Sequence, residues 1–251
     1  MGTSLYQEVY KLKHQRTPIY GIVILFLLML YTAANDTTRN MISMGYGTGQ
    51  WIIIILIAIG SYSIAMEFQN RTIVNLFYKN SHKEVIYFSK YIVLVAYGIL
   101  LTILGTIFSI ILAKIFVGNK YDWSQIYHNG RSLINNLLVN ELGTILLVFL
   151  VVALAFFLIT LFKINAVVVG IGLGIAYLGS QISTAFMQTF VNLAWVIRWN
   201  PFNMFYVMGQ LSDNTYPKYS NLNNEQIIVG TIIYTVIFLG LGYILFRKRR
   251  V

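Results

Sequence analysis

The sequence predicts an all-α integral membrane protein with six transmembrane helices, and three observations carry that prediction. Hydrophobic residues make up 57% of the 251 and charged residues only 10%, with a mean hydropathy of +0.69, outside the usual range of soluble domains. Six apolar runs are each long enough to cross a hydrocarbon core about 30 Å thick, which takes roughly 20 helical residues. Runs such as WIIIILIAIG at 51–60 are apolar on every side, whereas the strands of a membrane β-barrel alternate with a period of two.

Taken in order, the spans fall at about 18–34, 46–66, 91–117, 138–162, 164–183 and 227–246, forming a single transmembrane domain over 1–251. Ahead of the first, Leu5, Val9 and Leu12 recur at helical spacing beside Lys11 and Lys13. This reads as an N-terminal interfacial helix with Tyr6 and Tyr10 at headgroup depth, or as a frayed helix start. The basic residues before that span and the small residues at 32–34 resemble a secretory signal, but the apolar run is longer than such a region. Its removal would leave five spans, so it is retained as the first helix.

The segment 35–49 shows no site, and 118–136 is too short for a domain, its Tyr121, Trp123 and Tyr127 suiting an interfacial aromatic belt. In the fifth span Gly170 and Gly174 stand at GxxxG spacing, as expected for close helix packing. The same GIGLG run lacks the third glycine of a dinucleotide fingerprint and lies inside an apolar span. Beyond it Phe186, Phe190, Leu193 and Ile197 recur at i, i+4, i+7 and i+11, which predicts an outer amphipathic helix between spans five and six, ended by Pro201. The polar remainder to Glu225 reads as loop. Neither a repeat of 20–50 residues nor an inverted match between the two halves is visible.

The net charge of +10 is explained by topology. With the N-terminus inside, twelve of the 18 Lys and Arg residues fall in inner segments and six in outer ones, placing both termini in the cytoplasm with anionic membrane lipid as the partner of the basic excess. That account removes the need for nucleic acid. There is no cysteine, so disulfides, thiolate metal sites and cysteine catalysis are excluded.

One polar island interrupts the apolar pattern, the inner segment 67–90, with Glu67, Arg71, Lys79, Lys83, Glu84 and Lys90. Ser81 followed by Glu84 is a capping-box pattern that starts the third helix at His82. Before it, Ile73, Leu76 and Phe77 form an i, i+3, i+4 apolar face with Asn75 and Lys79 on the polar side. A helix so short needs a surface to lie on. Pattern alone leaves two surfaces open: lipid, with the lysines on phosphates, or a groove in a soluble protein.

The island resembles the corresponding loop in permease subunits of type-2 bacterial ABC exporters (the ABC-2 family). There the loop commonly reads E-x-x-x-G-T, an apolar pair, P-x-S-R and then a lysine opening the third helix. Glu67, Thr72, Leu76 and Lys90 stand at those places, while Arg71, Asn80, His82 and Lys83 depart from the glycine, proline, serine and arginine. In length, and in having no large outer domain, the chain is most similar to small permeases of peptide-toxin export and bacteriocin immunity. The resemblance implies a cytoplasmic coupling helix between spans two and three, with Glu67, Arg71, Thr72, Ile73, Leu76, Phe77, Lys79, Lys83 and Lys90 coupling to an ATPase. It further implies a separate ABC ATPase subunit that binds ATP and Mg, and a dimer with a second permease copy or a related permease. The expected place is the bacterial cell membrane, and the expected cargo is amphipathic peptides or other hydrophobic molecules moved outward. The chain has no G-x-x-x-x-G-K-[ST], so no cofactor is expected on it.

Glu141 is the one acid near an apolar run, placed toward the outer end of the fourth span. Together with Gln181 and Met187 it is a candidate for the translocation pathway. An interfacial carboxylate, or one paired with Arg131 or Arg198, fits the position as well. An ion-coupled carrier or channel using Glu141 is the alternative function. Enzyme readings find no support: His14, His82 and His128 are scattered, and neither H-E-x-x-H nor G-x-S-x-G occurs. No catalytic or metal site is expected.

Overall fold

The computed structural model describes residues 2–69, 83–128 and 130–248. Its helices are α1 (Gly2–His14), α2 (Thr17–Asn35), α3 (Arg39–Ser43), α4 (Thr48–Gln69), α5 (Lys83–Phe116), α6 (Leu133–Phe162), α7 (Asn165–Thr189), α8 (Ala194–Ile197), α9 (Val207–Gln210), α10 (Pro217–Ser220) and α11 (Asn224–Arg247). Six of these, α2, α4, α5, α6, α7 and α11, are long and apolar enough to cross a membrane. A short antiparallel pair, β1 (Ile126–His128) and β2 (Arg131–Ser132), leads into α6.

α6 is the centre of the bundle. Its most apolar stretch is 67% buried, against 22% for α7, and it packs against α4, α5, α7, α9 and α11. Leu147, Val148, Leu150, Val151, Val152 and Phe156 are buried, so burial runs right around the helix, as befits an element apolar on all sides. α5 has 34 residues, about 51 Å at 1.5 Å per residue, and therefore outreaches a 30 Å hydrocarbon core. It begins at Lys83, well before the apolar run at Tyr91, and this polar extension meets α1. The expected start at His82 lies outside the described residues.

α1 and the end of α11 lie at one end of the bundle, called here the terminal end. At it, Lys83 Nζ donates to the Arg247 carbonyl at 3.3 Å, and Tyr243 Oη donates to Glu84 Oε2 at 3.3 Å. The buried Tyr87 ring meets Phe88, Phe156, Tyr243 and Phe246 with centroids 5.4–5.9 Å apart. Aromatic pairs of this kind contribute about 0.5–1.5 kcal/mol each beyond the area they bury, so α5, α6 and α11 are fastened together just where α5 starts.

At the opposite end the chain departs from expectation. In place of an outer amphipathic helix, α7 ends at Thr189, Phe190 leaves the helical region (φ −110°, ψ 64°), and a 3₁₀ turn Val191–Leu193 precedes the single turn of α8. Tertiary hydrogen bonds outweigh the helical period: Asn200 Nδ2 donates to Ser183 Oγ at 2.7 Å, and Asn203 Nδ2 to the carbonyls of Arg198 (2.6 Å) and Ser220 (2.7 Å). They fold the chain back over the end of α7, leaving Phe186, Phe190, Leu193 and Trp195 exposed. The stretch read as loop is a compact cap, with Asn203, Gln210 and Ser220 fully buried. The cap reaches the core at α9, where a Cβ on Gly143 would sit 2.7 Å from the carbonyl oxygens of both Val207 and Met208. Only a glycine permits that backbone approach.

The GxxxG expectation is corrected in its register. Nothing lies within 4 Å of where a Cβ on Gly170 or Gly174 would be, whereas one on Gly172 would be 2.8 Å from Ile57 Cγ2 of α4. The close contact within the chain is thus one face over, and Gly170 and Gly174 point outward.

Candidate coupling site at the terminal end

Two elements flank 70–82, the end of α4 and the start of α5, and a third, α1, lies across them. On α1, Glu8 and Lys11 are one turn apart and share a face. That face turns inward, while Tyr6, Val9 and Tyr10 on the other are at least half exposed. Of the expected apolar stripe, Leu12 packs on the core and Val9 does not.

The inward face meets Glu67 of α4 and Lys90 of α5 in a closed ring of four charges. Lys11 Nζ lies 3.1 Å from Glu8 Oε1 and 2.9 Å from Glu67 Oε1, and Lys90 Nζ lies 2.8 Å from Glu8 Oε2 and 3.0 Å from Glu67 Oε1. Each ammonium touches both carboxylates. The side chains of Glu67 and Lys90 are 5% exposed and that of Glu8 12%, so three of the four charges have little water to fall back on. Two positive and two negative groups leave the ring neutral, the condition under which buried charges persist. Burial pushes the Lys11 ammonium down, but hydrogen bonds and charge attraction from Glu67 and Glu8 outweigh it, and its pKa ends above the ordinary lysine value.

The ring revises the expected roles of Glu67 and Lys90. Expected as ATPase-coupling residues, they turn their side chains to α1 inside the fold and brace the flanks of 70–82. Lys83, at the start of α5, donates to the Arg247 carbonyl at the end of α11. Arg71, Thr72, Ile73, Leu76, Phe77 and Lys79 lie outside the described residues. Glu8 and Lys11 were missed as functional residues, although one signal was available: opposite charges at i, i+3 facing away from two tyrosines.

The expected pathway residues do not come together. Gln181 lines a cavity of about 390 Å³ in the half away from the terminal end, between α4, α7 and the cap. Met187 is buried elsewhere, its sulfur 3.7 Å from Asn221 Nδ2. Glu141 is 4% exposed inside the bundle. The expected pairing with Arg131 or Arg198 is not formed: Arg131 donates to the Leu211 carbonyl at 3.0 Å and Arg198 to the Asn221 carbonyl at 3.5 Å. The turn at Gly45–Gly47 covers Glu141. Among the described residues no cluster of His, Cys, Asp and Glu could hold a metal ion.

A family model described as "ABC-2 family transporter protein" matches residues 4–180, well over half of the chain and including all four members of the ring. The chain belongs to the ABC-2 transporter family. A search of curated proteins finds no match. As an ABC-2 member, the protein is the membrane component, or permease, of an ABC transporter, a component typically not catalytic itself. The family implies an ABC ATPase partner and, typically, a dimeric arrangement.

Proposed function

We propose that this ABC-2 permease is the transmembrane subunit of an ATP-driven exporter of amphipathic peptides or other hydrophobic cargo, as in the small peptide-toxin and bacteriocin-immunity permeases that it resembles. A separate ATPase subunit holds ATP and Mg and docks on 70–82, with Leu76 and Phe77 as its apolar contacts. The permease pairs with a second copy or a related chain in a bacterial cell membrane, with the terminal end in the cytoplasm, as the basic residues favour. The observation that carries the reading is the ring of four charges. It ties α1 and both flanks of 70–82 together, and the Tyr87 cluster ties the start of α5 to α6 and α11. A push on 70–82 then moves whole membrane helices and is not absorbed locally.

The outer cavity supports the cargo class. Its lining has no charged side chain; the rings of Tyr177, Phe205 and Tyr206 stand beside the amides of Gln50 and Gln181, a surface suited to apolar groups with an occasional hydrogen bond. The deciding experiment is co-purification with a co-expressed ABC ATPase in mild detergent. Wild type is expected to retain the ATPase, and Leu76→Asp with Phe77→Asp to lose it while still inserting. Undiminished retention by the double variant would remove 70–82 as the docking segment.

A further inference from the structure

The transport reading gives no role to Glu141, the most deeply set carboxylate of the outer half. Its neighbours are the left-handed turn at Gly45 (φ +61°), Tyr46 (φ 50°) and Gly47 (φ +77°), Thr48 of α4 and Ser109 of α5. A Cβ on Gly45 would lie 2.5 Å from Glu141 Oε1, 2.8 Å from Thr48 Oγ1 and 3.2 Å from Ser109 Oγ, so three side-chain oxygens gather around one glycine Cα.

None of the three brings a positive charge to the others. The Thr48 hydroxyl has the Gly45 carbonyl and the Met29 sulfur as acceptors and the Ser109 hydroxyl donates to the Gly105 carbonyl, so neither hydrogen is reserved for the carboxylate. Both Glu141 oxygens lack a hydrogen-bond partner among the described residues. The charged groups of the surrounding elements are directed elsewhere. Asp36 accepts from the Thr38 amide, Arg39 donates to Gln125, Arg131 to the Leu211 carbonyl and Arg198 to the Asn221 carbonyl, and Asp213 accepts from the Thr215 amide. Lys114, Lys120, Lys218 and Glu225 are exposed. A buried carboxylate with no cation directed at it is short of one positive charge. The space beside it belongs to the Gly45 backbone, which leaves a proton as the cation that fits.

The geometry points to Glu141 as a proton-binding site of the outer half: the carboxyl carries a proton in this arrangement and donates it to the hydroxyl oxygen of Thr48 or Ser109. No bond other than O–H changes; the proton comes from and returns to water. The site is closed by the Gly45–Gly47 turn, so lifting that turn wets the carboxyl and releases the proton. The inference does not rest on the identity of the cargo or on the ATPase partner.

Infrared difference spectroscopy of the full chain in lipid vesicles tests it, comparing wild type with Glu141→Gln at neutral pH. The expected result is a carboxylic-acid carbonyl band in wild type that shifts in heavy water and is missing from the variant. A spectrum in which Glu141→Gln removes only carboxylate bands would overturn the assignment. Should the variant fail to fold, ¹³C-glutamate labelling of wild type gives the same answer: a carboxyl resonance in the protonated position at neutral pH supports the site, and carboxylate resonances alone contradict it.

Discussion

Replacing Lys90 by Met leaves Glu8 and Glu67 buried against the single cation of Lys11. An uncompensated charge in such a place typically costs about 3–5 kcal/mol, so Lys90→Met should lower the thermal midpoint in detergent sharply. Removing a buried pair together costs far less than breaking it, so Lys90→Met with Glu67→Met should recover most of the loss. A single variant as stable as wild type would mean that the ring bears no load. Lys11 adds a dependence on pH. Its folded pKa lies above the ordinary value, so its contribution is complete below the unfolded lysine range and is lost only as pH rises through the folded value. Melting curves of wild type and Lys11→Met should accordingly differ by a constant amount across neutral pH and converge in strong alkali. Gly45→Ala forces a side chain into the left-handed region, at roughly 1–2 kcal/mol, and sets its methyl 2.5 Å from Glu141 Oε1. It should lower the unfolding free energy by at least that amount, seen as a fall in the thermal midpoint.

Glycines on two neighbouring helices give predictions of opposite sign. Gly143→Ala drives a methyl against two carbonyl oxygens of the cap and should cost about 1–3 kcal/mol through overpacking. Gly170→Ala meets open space and should stabilise α7 by about 0.5–1 kcal/mol through helix propensity; unfolding of the two variants side by side checks both. The same contrast explains what was legible in the sequence. The six long helices could be read because their apolar runs are unbroken, and α1 because its period is helical. The outer helix after α7 could not, because Asn200 and Asn203 act through partners up to 17 residues away that no local pattern reveals. Likewise the island marked Glu67 and Lys90, but not their joint partners on α1, 82 residues from Lys90 in the case of Glu8.

At the scale of the whole molecule, the bundle reads as two functional ends around a packed α6. One end gathers α1, the flanks of 70–82 and the end of α11 through charges and aromatic rings. The other holds the buried Glu141 beneath the Gly45–Gly47 turn and a polar cap beside the 390 Å³ cavity. The proposed orientation places the first end inside. Because the chain has no cysteine, single cysteines at the exposed positions Lys13 and Lys248 should react with an impermeant reagent only after the cells are opened, and those at Lys120 and Lys218 in intact cells. The reverse pattern would invert the topology.

The central claim is that α1, the end of α4 and the start of α5 move as one body when the ATPase works. Pairs of spin labels at the exposed positions Tyr6, Ile92 and Leu178, on α1, α5 and α7, test it most directly in the assembled transporter. On adding nucleotide, the distance between labels at Tyr6 and Ile92 should stay unchanged while that between Ile92 and Leu178 shifts. A Tyr6–Ile92 distance that changes with nucleotide while transport proceeds would contradict the account.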